Sequence, residues 1–356
     1  MAKKVIEETK EKKSKLQDAM DRMNKTYGVG TVLTLEGNSS ETYNIIPTGS
    51  IGFDYIALGI GGFAKGKLYE IMGWEGTCKT TICGHAAAEC QKQGGNVLYI
   101  DGEHAVDKLY FQSLGVDTAK LLITQPSSGE EGFNVAIEMI KTGEIDLVII
   151  DSDSSLIPKA VIDGDVGESS IGKKARLNNN AYPKLKSLLV QYNTCMIVIS
   201  QYREKIGVMF GNPTCTQGGH ALKFYTDCRI EITKTIVKDD DVAYGNIVKV
   251  KATKNKMCPP YRIAKFEVVW GKGIDIIGEL VELSVEHGIV TKAGSWYSYG
   301  EIKLGQGVDG ITKLFNNNPE LCEVIKQQLI DILQHPDELP IDTISEEVQI
   351  MFMNNA

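Results

Sequence analysis

The sequence has no long apolar run and no apolar segment near its start. None of its stretches reaches the roughly 18 consecutive apolar residues that a membrane-spanning helix needs. The first residues, MAKKVIEETKEKKSK, do not resemble a signal peptide. These two absences predict a chain that neither crosses a membrane nor enters the secretory route.

Cysteine pairs of the C-x-x-C type are also missing. The eight cysteines are scattered along the chain, so their spacing indicates neither a disulfide framework nor a structural metal site. We expect reduced thiols and a cytoplasmic location. The formal net charge of −8 argues against indiscriminate binding of polyanions by the whole surface, but it leaves room for nucleic acid at local basic loops.

The chain is long enough for one large domain with smaller appendages. It has 356 residues, of which 42% are hydrophobic, enough for a sizeable buried core. From about residue 65, runs rich in Val, Ile and Leu alternate with helical segments, which predicts an α/β fold with a mostly parallel sheet. The predicted strands include KLYEIMG, NVLYIDGEH, IDLVIIDSD and TCMIVISQ, and TTICGHAAAECQKQ is predicted to be a helix.

Polar residues stand where these predicted strands end. Asp101 and Glu103 follow one strand, Asp151 closes another, and Ser200 and Gln201 close a third. Ligands of open α/β sheets bind beyond the carboxyl ends of the strands, so we expect these side chains to converge on one site.

The stretch GWEGTCKTT, residues 73–81, follows the first of these strands and departs from a phosphate-binding loop at one position. The pattern G-x-x-x-x-G-K-[ST] has a glycine where this chain has Cys78, whereas Lys79 and Thr80 match it. If the backbone at Cys78 requires a positive φ, the β-carbon costs roughly 1–2 kcal/mol and weakens nucleotide binding roughly five- to thirtyfold. Gly76 restores part of the lost backbone freedom. We interpret the stretch as a nucleotide-binding loop in which Lys79 holds the β- and γ-phosphates and Thr80 ligates Mg²⁺.

Three strand-end residues are candidates for the chemistry at that loop. Asp151, after the run LVII, is typical of the acidic group that holds Mg²⁺ through water, although a turn or helix cap would use the same residue. Glu103 is a candidate general base for an attacking water, and on its own it would be an ordinary solvated carboxylate. Gln201 is a candidate donor to a γ-phosphate.

Two glycine-containing basic loops are candidates for nucleic-acid binding. One is IDGDVGESSIGKKAR, residues 162–176, and the other is YREKIGVMFGNPTCTQGGH, residues 202–220. Backbone amides and cations contact a nucleic-acid backbone without reading bases. The acidic residues in the first loop favour the alternative of a solvated charge cluster.

Both ends of the chain carry smaller predicted units. Residues 11–27 place apolar side chains on one face of a helix, and TVLTL at 31–35 is a predicted strand. The pattern leaves open whether this unit packs on its own core or on a neighbouring subunit. After about residue 275 we expect a small α/β appendage whose last helix starts with Asn318 as N-cap and Pro319 at the first position. The residues from His335 onward are predicted to be a flexible tail.

Several motifs occur together and in order. They are DGEHAVD, GVMFGNP, GGHALKFY, KNK, GELVELSV and AGSWYSYGEIKLGQG. With them the chain resembles the bacterial RecA recombinase family from about residue 16 to about residue 333. The resemblance implies an α/β RecA-like ATPase core at 39–275 and a helix–strand arm at 1–38 that docks on the next protomer. It also implies a duplex-DNA-binding lobe at 276–334, followed by an acidic tail at 335–356.

The resemblance also implies a function. Members of the family use ATP and Mg²⁺, assemble as helical filaments on single-stranded DNA, and exchange that strand with homologous double-stranded DNA in recombination, repair and the SOS response. DNA stimulates their ATP hydrolysis. Two alternatives remain open for this chain. One is a filament that coats DNA with impaired turnover because of Cys78, and the other is a hexameric helicase with the same core.

Site residues follow from the resemblance by matching motifs. The implied catalytic residues are Lys79, Glu103, Gln201, Lys254 and Lys256, of which the last two reach a neighbour's ATP. The implied nucleotide-binding residues are Gly73, Trp74, Glu75, Gly76, Thr77, Cys78, Lys79, Thr80, Thr81, Asp107, Tyr110 and Trp270. Thr80 and Asp151 are the implied Mg²⁺ residues, and Lys223 and Phe224 the implied subunit-interface residues. The implied DNA-binding residues are Ser169, Ser170, Ile171, Gly172, Arg176, Arg203, Met209, Phe210, Gly211, Asn212, Gly218 and Gly219.

The chain departs from the family's pattern at a few of these positions. Where the family usually has GPESSGKTT, this chain has GWEGTCKTT, which affects the expected nucleotide affinity and turnover. Pro183 stands where we expect a basic residue after the first DNA loop. Trp270 replaces a tyrosine expected to stack on adenine, and its larger ring preserves the possibility of stacking.

Overall fold

The computed structural model describes residues 2–28, 31–32, 43–165, 172–204, 214–216 and 220–335. The chain divides into two compact units, Met1–Asn44 and Ile45–Ala356. In the first unit, helix α1 spans Ala2–Tyr27 and ends at Gly28, whose φ of 110° stops the helix as predicted. Thr31 and Val32 form a bend, and the rest of the predicted strand at 31–35 lies outside the described residues.

The second unit is built on a large sheet. In sequence order the strands of the unit are β1 (Ile45–Ile46), β2 (Phe63–Ala64), β3 (Leu68–Gly73), β4 (Val97–Asp101), β5 (Leu122–Thr124), β6 (Leu147–Asp151), β7 (Cys195–Glu204), β8 (Thr214–Thr216), β9 (Cys228–Asp239), β10 (Val242–Asn255), β11 (Ile263–Val269), β12 (Gly273–Ile274), β13 (Thr291–Ala293), β14 (Trp296–Tyr299) and β15 (Ile302–Gln306). The large sheet runs β12-β11-β10-β9-β3-β7-β6-β4-β5, and β8 pairs with the end of β7.

Helices cover the sheet and complete the smaller lobe. They are α2 (Lys79–Lys92), α3 (Lys108–Ser113), α4 (Gly129–Lys141), α5 (Lys159–Ile162), α6 (Lys173–Tyr192), α7 (Ala221–Tyr225), α8 (Ile276–Glu286), α9 (Gly307–Asn317) and α10 (Pro319–Gln334). A π-helical turn at Gly52–Ala57 and a 3-10 turn at Asp153–Ser155 accompany them. The predicted α/β fold with a mostly parallel sheet is confirmed: the six strands from β9 to β5 along that path are parallel to one another, whereas β10, β11 and β12 extend the sheet with antiparallel pairs.

The parallel strands are buried on both faces because their side chains alternate. Val97 and Tyr99 point into the apolar cluster that contains α2, whereas Leu98 and Ile100 point into the cluster that contains α4 and α6. Because both faces are largely apolar, the acidic side chains of β4 and β6 lie at the strand ends, as Asp101 and Asp151. This arrangement fixes the edge of the sheet where a site can form.

The pairing register brings the carboxyl ends of four strands together. Gly73 at the end of β3 lies opposite Gln201 in β7, and Asp101 at the end of β4 lies opposite Asp151 in β6. The predicted convergence of strand ends is therefore confirmed as an arrangement of the backbone.

The C-terminal lobe has its own three-stranded antiparallel sheet, β13-β14-β15, packed with α8, α9 and α10 around a separate apolar cluster. Strands β14 and β15 form an antiparallel hairpin within SWYSYGEIKLGQG. Pro319 starts α10 and Asn318 occupies its N-cap position, as predicted, but the Asn318 side chain makes no capping hydrogen bond. Its side chain donates to the carbonyl of Leu314 at 3.0 Å and so satisfies the end of α9, because α10 begins directly after α9.

The lobe is tied to the core through a buried carboxyl group. Glu279 in α8 accepts hydrogen bonds from the Ser50 hydroxyl at 2.8 Å and from the Gly52 amide at 3.0 Å. Burial raises the pKa of Glu279 to about 7, against the lowering effect of those hydrogen bonds. Among the helices in the described part of the chain, none is long and apolar enough to cross a membrane. The domain boundaries and the cytoplasmic location stay predictions.

Candidate nucleotide site

The loop between β3 and α2 adopts a phosphate-cradling shape despite its cysteine. Cys78 has a φ of 62° and Gly76 a φ of 65°, both left-handed. The strain anticipated at Cys78 is therefore present. The amide of Asn246 lies 3.6 Å from the Cys78 sulfur and donates to it, which stabilises the cysteine in this conformation. Burial raises the pKa of the Cys78 thiol.

Lys79 begins α2 and its side chain folds back over the loop. Its ammonium group donates to the carbonyls of Trp74 at 2.7 Å and Gly73 at 3.2 Å. Burial lowers the pKa of Lys79, while the charges of Asp151 and Glu103 act in the opposite direction. The amino end of a 14-residue helix and a lysine together favour an anion at this point.

A carboxylate and two hydroxyls meet beside the lysine. The Thr80 hydroxyl and the Tyr99 hydroxyl each donate to Oδ2 of Asp151 across 2.7 Å. Burial raises the pKa of Asp151, and the two hydrogen bonds oppose that shift. Hard oxygen donors of this kind fit Mg²⁺, which takes few protein ligands when phosphates supply the rest. No group of three or more His, Cys, Asp or Glu that could hold a metal occurs among the described residues.

Glu103 lies beside Asp151 and Thr80, and two groups donate hydrogen bonds to its side chain. Its Oε1 accepts from the Ser152 hydroxyl at 2.6 Å and from the Gln201 amide at 2.7 Å. Gln201 is in β7, the strand that leads into the second predicted DNA loop. The structure thus brings together the candidate base and the residue that connects it to that loop.

These groups line one cleft of about 500 Å³. Trp270 stands at one side of it and is half exposed. Tyr110 stands at another, and its hydroxyl is 2.7 Å from that of Thr81. Asp107 accepts from the Tyr110 amide at 2.9 Å and caps α3. A half-exposed indole ring and a partly buried phenol ring at the rim of a polar cleft suit a stacked base. Of the remaining loop residues, Glu75, Gly76 and Thr77 also line the cleft.

The structure does not bring the two lysines of KNK to this cleft. Lys254 donates to the carbonyls of Lys223 at 2.9 Å and Phe224 at 3.3 Å, at the end of α7. Lys256 lies 3.2 Å from a carboxylate oxygen of Asp227. Phe224 is exposed. These residues form a separate surface at the start of β9.

The DNA-binding candidates are only partly described. Gly172, with a φ of 77°, starts α6, and Arg176 follows in its first turns. Arg203 is in β7, and the expectation of an irregular loop directly after Gln201 is wrong, because Tyr202–Glu204 pairs with β8. The candidates that lie outside the described residues are Ser169, Ser170, Ile171, Met209, Phe210, Gly211, Asn212, Gly218 and Gly219.

Two further residues near the first loop have structural roles. Lys174, which stands at the basic end of that loop, is mostly buried, donates to the Leu156 carbonyl at 2.7 Å and lies 3.5 Å from Asp153. Its ammonium group is therefore engaged by groups of its own chain. Pro183 is inside α6, as expected for the helix after the loop.

Sequence reasoning missed four residues of the site. Tyr99 and Ser152 hold Asp151 and Glu103, and Asn246 contacts Cys78. Lys234 in β9 also lines the cleft beside Gly76. Ser152 directly follows Asp151, so its position in the sequence was a usable signal. The others come from strands whose neighbours only the folded sheet reveals.

The fold and the loop define a phosphate-loop α/β protein with a RecA-like sheet. The family model for the RecA N-terminal domain matches residues 14–275, and that for the RecA C-terminal domain matches residues 278–334. Protein RecA of Cytophaga hutchinsonii is 46% identical over 342 residues, 95% of this chain and 96% of that protein. Protein RecA of Bacteroides thetaiotaomicron is 44% identical over 91% of this chain and 98% of that protein. Protein RecA of Aquifex aeolicus is 44% identical over 91% of this chain and 94% of that protein. The chain belongs to the RecA family.

Proposed function

We propose that this chain is an ATP-dependent recombinase that forms filaments on single-stranded DNA and exchanges strands with homologous duplex DNA. The observation that carries the proposal is the convergence of Lys79, Asp151 and Glu103 in one cleft, with Gln201 bonded to Glu103. Family membership supplies the DNA substrate, and a role in recombination and repair follows from it.

Each side chain of the cleft has a role in this proposal. Lys79 and the amino end of α2 bind the β- and γ-phosphates, and Lys79 exchanges its loop carbonyls for phosphate oxygens. Thr80 and Asp151 are the residues that would hold Mg²⁺, which neutralises charge on the phosphates. Glu103 orients and deprotonates the attacking water, while Ser152 fixes its carboxylate. Tyr110 and Trp270 stack on the base.

The proposed role of Lys254 and Lys256 requires a second subunit. Asp227, which contacts Lys256, accepts a hydrogen bond from the backbone amide of Leu68, the first residue of β3. The phosphate loop begins at the other end of this strand, at its last residue, Gly73. Five residue steps along a strand span roughly 16 Å, which separates Lys256 from the cleft of its own chain. Lys254 pairs with Arg229 and so lies level with Glu70, three steps or roughly 10 Å from Gly73. A head-to-tail arrangement of subunits would bring both lysines to a neighbour's phosphates and would also generate a filament.

The coupling of ATP to DNA runs through Gln201 in this proposal. A γ-phosphate in the cleft competes with Glu103 for the Gln201 amide and draws β7 with it. Because β7 leads into the second DNA loop, the loop is ordered when ATP is bound and released after hydrolysis. ATP at an interface stabilises only the assembled state, so it favours the filament.

Hydrolysis of ATP with and without single-stranded DNA tests the proposal, beside Glu103→Gln and Cys78→Gly. DNA-stimulated turnover that Glu103→Gln abolishes supports the recombinase. The left-handed Cys78 favours one alternative, a filament that coats DNA with little turnover. That alternative would be established if the wild-type protein hydrolysed no ATP and the Cys78→Gly variant did.

A further inference from the structure

A buried carboxylate stands directly behind one of the two lysines assigned to the subunit interface. Asp227 is 4% exposed. Its side chain accepts hydrogen bonds from the Leu68 amide at 2.9 Å, from the Lys186 ammonium and from the Lys256 ammonium at 3.2 Å. The backbone amide of Lys256 also donates to the carbonyl of Asp227 at 3.0 Å. Lys256 is thus attached to Asp227 at both its backbone and its side chain.

Asp227 is an anion at neutral pH in spite of its burial. Burial would raise its pKa, but the hydrogen bonds from Lys186 and Leu68 and the charges of the two lysines bring the pKa below its ordinary value. Without this charge, the ammonium groups of Lys186 and Lys256 would repel each other. Lys256 has a four-carbon stem that is free to adopt many rotamers unless an anion fixes its end.

The contact leaves Lys256 available to a ligand. The side chain is 54% exposed, and its ammonium has three donors, of which Asp227 accepts one. Lys254 is fixed in a similar way by the carbonyls at the end of α7, next to the exposed ring of Phe224. Hydrogen bonds therefore hold the ammonium groups of both lysines at one surface of the protein.

We propose that Asp227 is the positioning residue for Lys256, and that through Lys256 it acts on the ATP held by the neighbouring subunit. This inference rests on the proposed function, because it requires that Lys256 contact a neighbour's phosphates. Asp227 itself touches no nucleotide. Its neutral replacement leaves the cleft of its own chain complete and impairs the adjacent one.

The variant Asp227→Asn keeps the shape of the side chain and removes the charge. We expect its DNA-stimulated kcat to fall roughly ten- to hundredfold, as displacement of a positioned group does. The KM for ATP changes less, since Lys79 is intact. The double variant Asp227→Asn with Lys186→Met removes the surplus buried charge and serves if the single variant does not fold.

Asp146→Asn is the matched control. Asp146 also accepts from a lysine, Lys65 at 2.7 Å, and from a backbone amide, Asn96 at 2.8 Å, but it contacts neither α7 nor Lys256. We expect this variant to lose some thermal stability, less than Asp227→Asn because the Asp146 side chain is 28% exposed, and to hydrolyse ATP at the wild-type rate. A fall in turnover specific to Asp227→Asn separates positioning from general destabilisation.

Mixed filaments give the deciding measurement. Asp227→Asn has an intact cleft and a misplaced Lys256, whereas Glu103→Gln has an inactive cleft and a correctly placed Lys256. Random mixing at equal amounts before DNA is added joins the intact cleft to the intact lysine at about a quarter of the interfaces. We expect hydrolysis at about a quarter of the wild-type rate, from two variants that are each nearly inactive.

The outcomes separate the inference from the proposed function. The inference is overturned if the mixture hydrolyses ATP no faster than the sum of the two variants measured separately at the same amounts. It is also overturned if Asp227→Asn hydrolyses ATP at the wild-type rate. Lys256→Ala mixed with Glu103→Gln tests the cross-subunit lysine alone. If that pair complements and the Asp227→Asn pair does not, only the inference fails. If wild type shows no DNA-stimulated hydrolysis, the proposed function fails and the inference with it.

Discussion

The amide nitrogen of Gln201 lies 2.7 Å from Oε1 of Glu103, the same oxygen that accepts a hydrogen bond from Ser152. One carboxylate oxygen therefore connects the candidate base to two different parts of the fold. Ser152 directly follows β6 and starts the 3-10 turn at Asp153–Ser155, whereas Gln201 is in β7, which leads into the second DNA loop. The two donors are expected to have separable effects.

Replacement of Gln201 by Ala should uncouple DNA from hydrolysis. We expect DNA stimulation to fall roughly 5- to 150-fold, the range of ordinary coupling free energies, while the rate without DNA is nearly kept. ATPase assays with and without single-stranded DNA measure the ratio. Ser152→Ala is the control, since it frees the same oxygen without touching the loop and should lower both rates together. An unchanged ratio in Gln201→Ala would refute the coupling.

Replacement of Cys78 by Gly should strengthen nucleotide binding. Glycine removes the roughly 1–2 kcal/mol cost of a β-carbon at positive φ, so the Kd for ATP should fall roughly five- to thirtyfold. Equilibrium titration with a fluorescent ATP analogue measures it. Cys78→Ala keeps the β-carbon and removes only the thiol. If Ala gains as much as Gly, the thiol and not the backbone weakens binding.

Trp270→Ala should weaken ATP binding by removing a stacking surface. Stacking of a base on an aromatic ring contributes roughly 1–3 kcal/mol, so the Kd should rise by about one order of magnitude or more. Trp270→Tyr should retain most of the affinity. The control is Trp296→Ala, since Trp296 is equally exposed but lies in the C-terminal lobe. Equal affinities of wild type and Trp270→Ala would exclude Trp270 from base binding.

The stability of the chain should fall with rising pH because of Glu279. Its pKa is about 7 in the folded chain against an ordinary value of 4.5, so the folded state binds the extra proton between these values. The contribution is present below pH 4.5 and lost as the pH rises through 7. Between pH 5 and 8 the unfolding free energy of wild type should fall by roughly 2–3 kcal/mol relative to Glu279→Gln.

Denaturant unfolding at several pH values measures this difference. Burial raises the pKa of Asp54, the other carboxyl nearby, and the charge of Glu279 adds to that rise, so the comparison reports the two coupled carboxyls together. Glu286→Gln changes an exposed carboxyl on the same helix and should follow wild type. Parallel pH profiles of wild type and Glu279→Gln would disprove the role of this carboxyl.

The apolar pattern was sufficient to predict the sheet and the edge where the site forms. Runs such as LVII in β6 are buried on both faces, so the polar residues that follow them mark the ends of the strands. This pattern identified Asp151 and Glu103 as candidates. The sequence also indicated the strain at Cys78, since a phosphate loop fixes the backbone whichever residue occupies it. The resemblance to a family added the remaining assignments.

Pairing between distant strands could not be predicted from local pattern. Asn246 reaches Cys78 only because β10 and β9 extend the sheet beyond β3, and Lys234 reaches the cleft for the same reason. Lys174 belongs to the basic stretch that suggested nucleic-acid binding. Its contact with Asp153 arises only in the folded chain. The failure of the Asn318 side chain to cap α10 arises from the lack of a linker after α9.

The thiol in the phosphate loop gives this chain a native reporter group. Cys78 lines the cleft and is partly exposed, whereas Cys83, Cys90, Cys195 and Cys228 are buried. Since burial raises its pKa, alkylation is slow at neutral pH and faster in alkaline buffer. If the three other partly exposed cysteines are replaced, a small maleimide or nitrile label would attach at the phosphate loop alone. Bound nucleotide would then be measured as a slower rate of labelling.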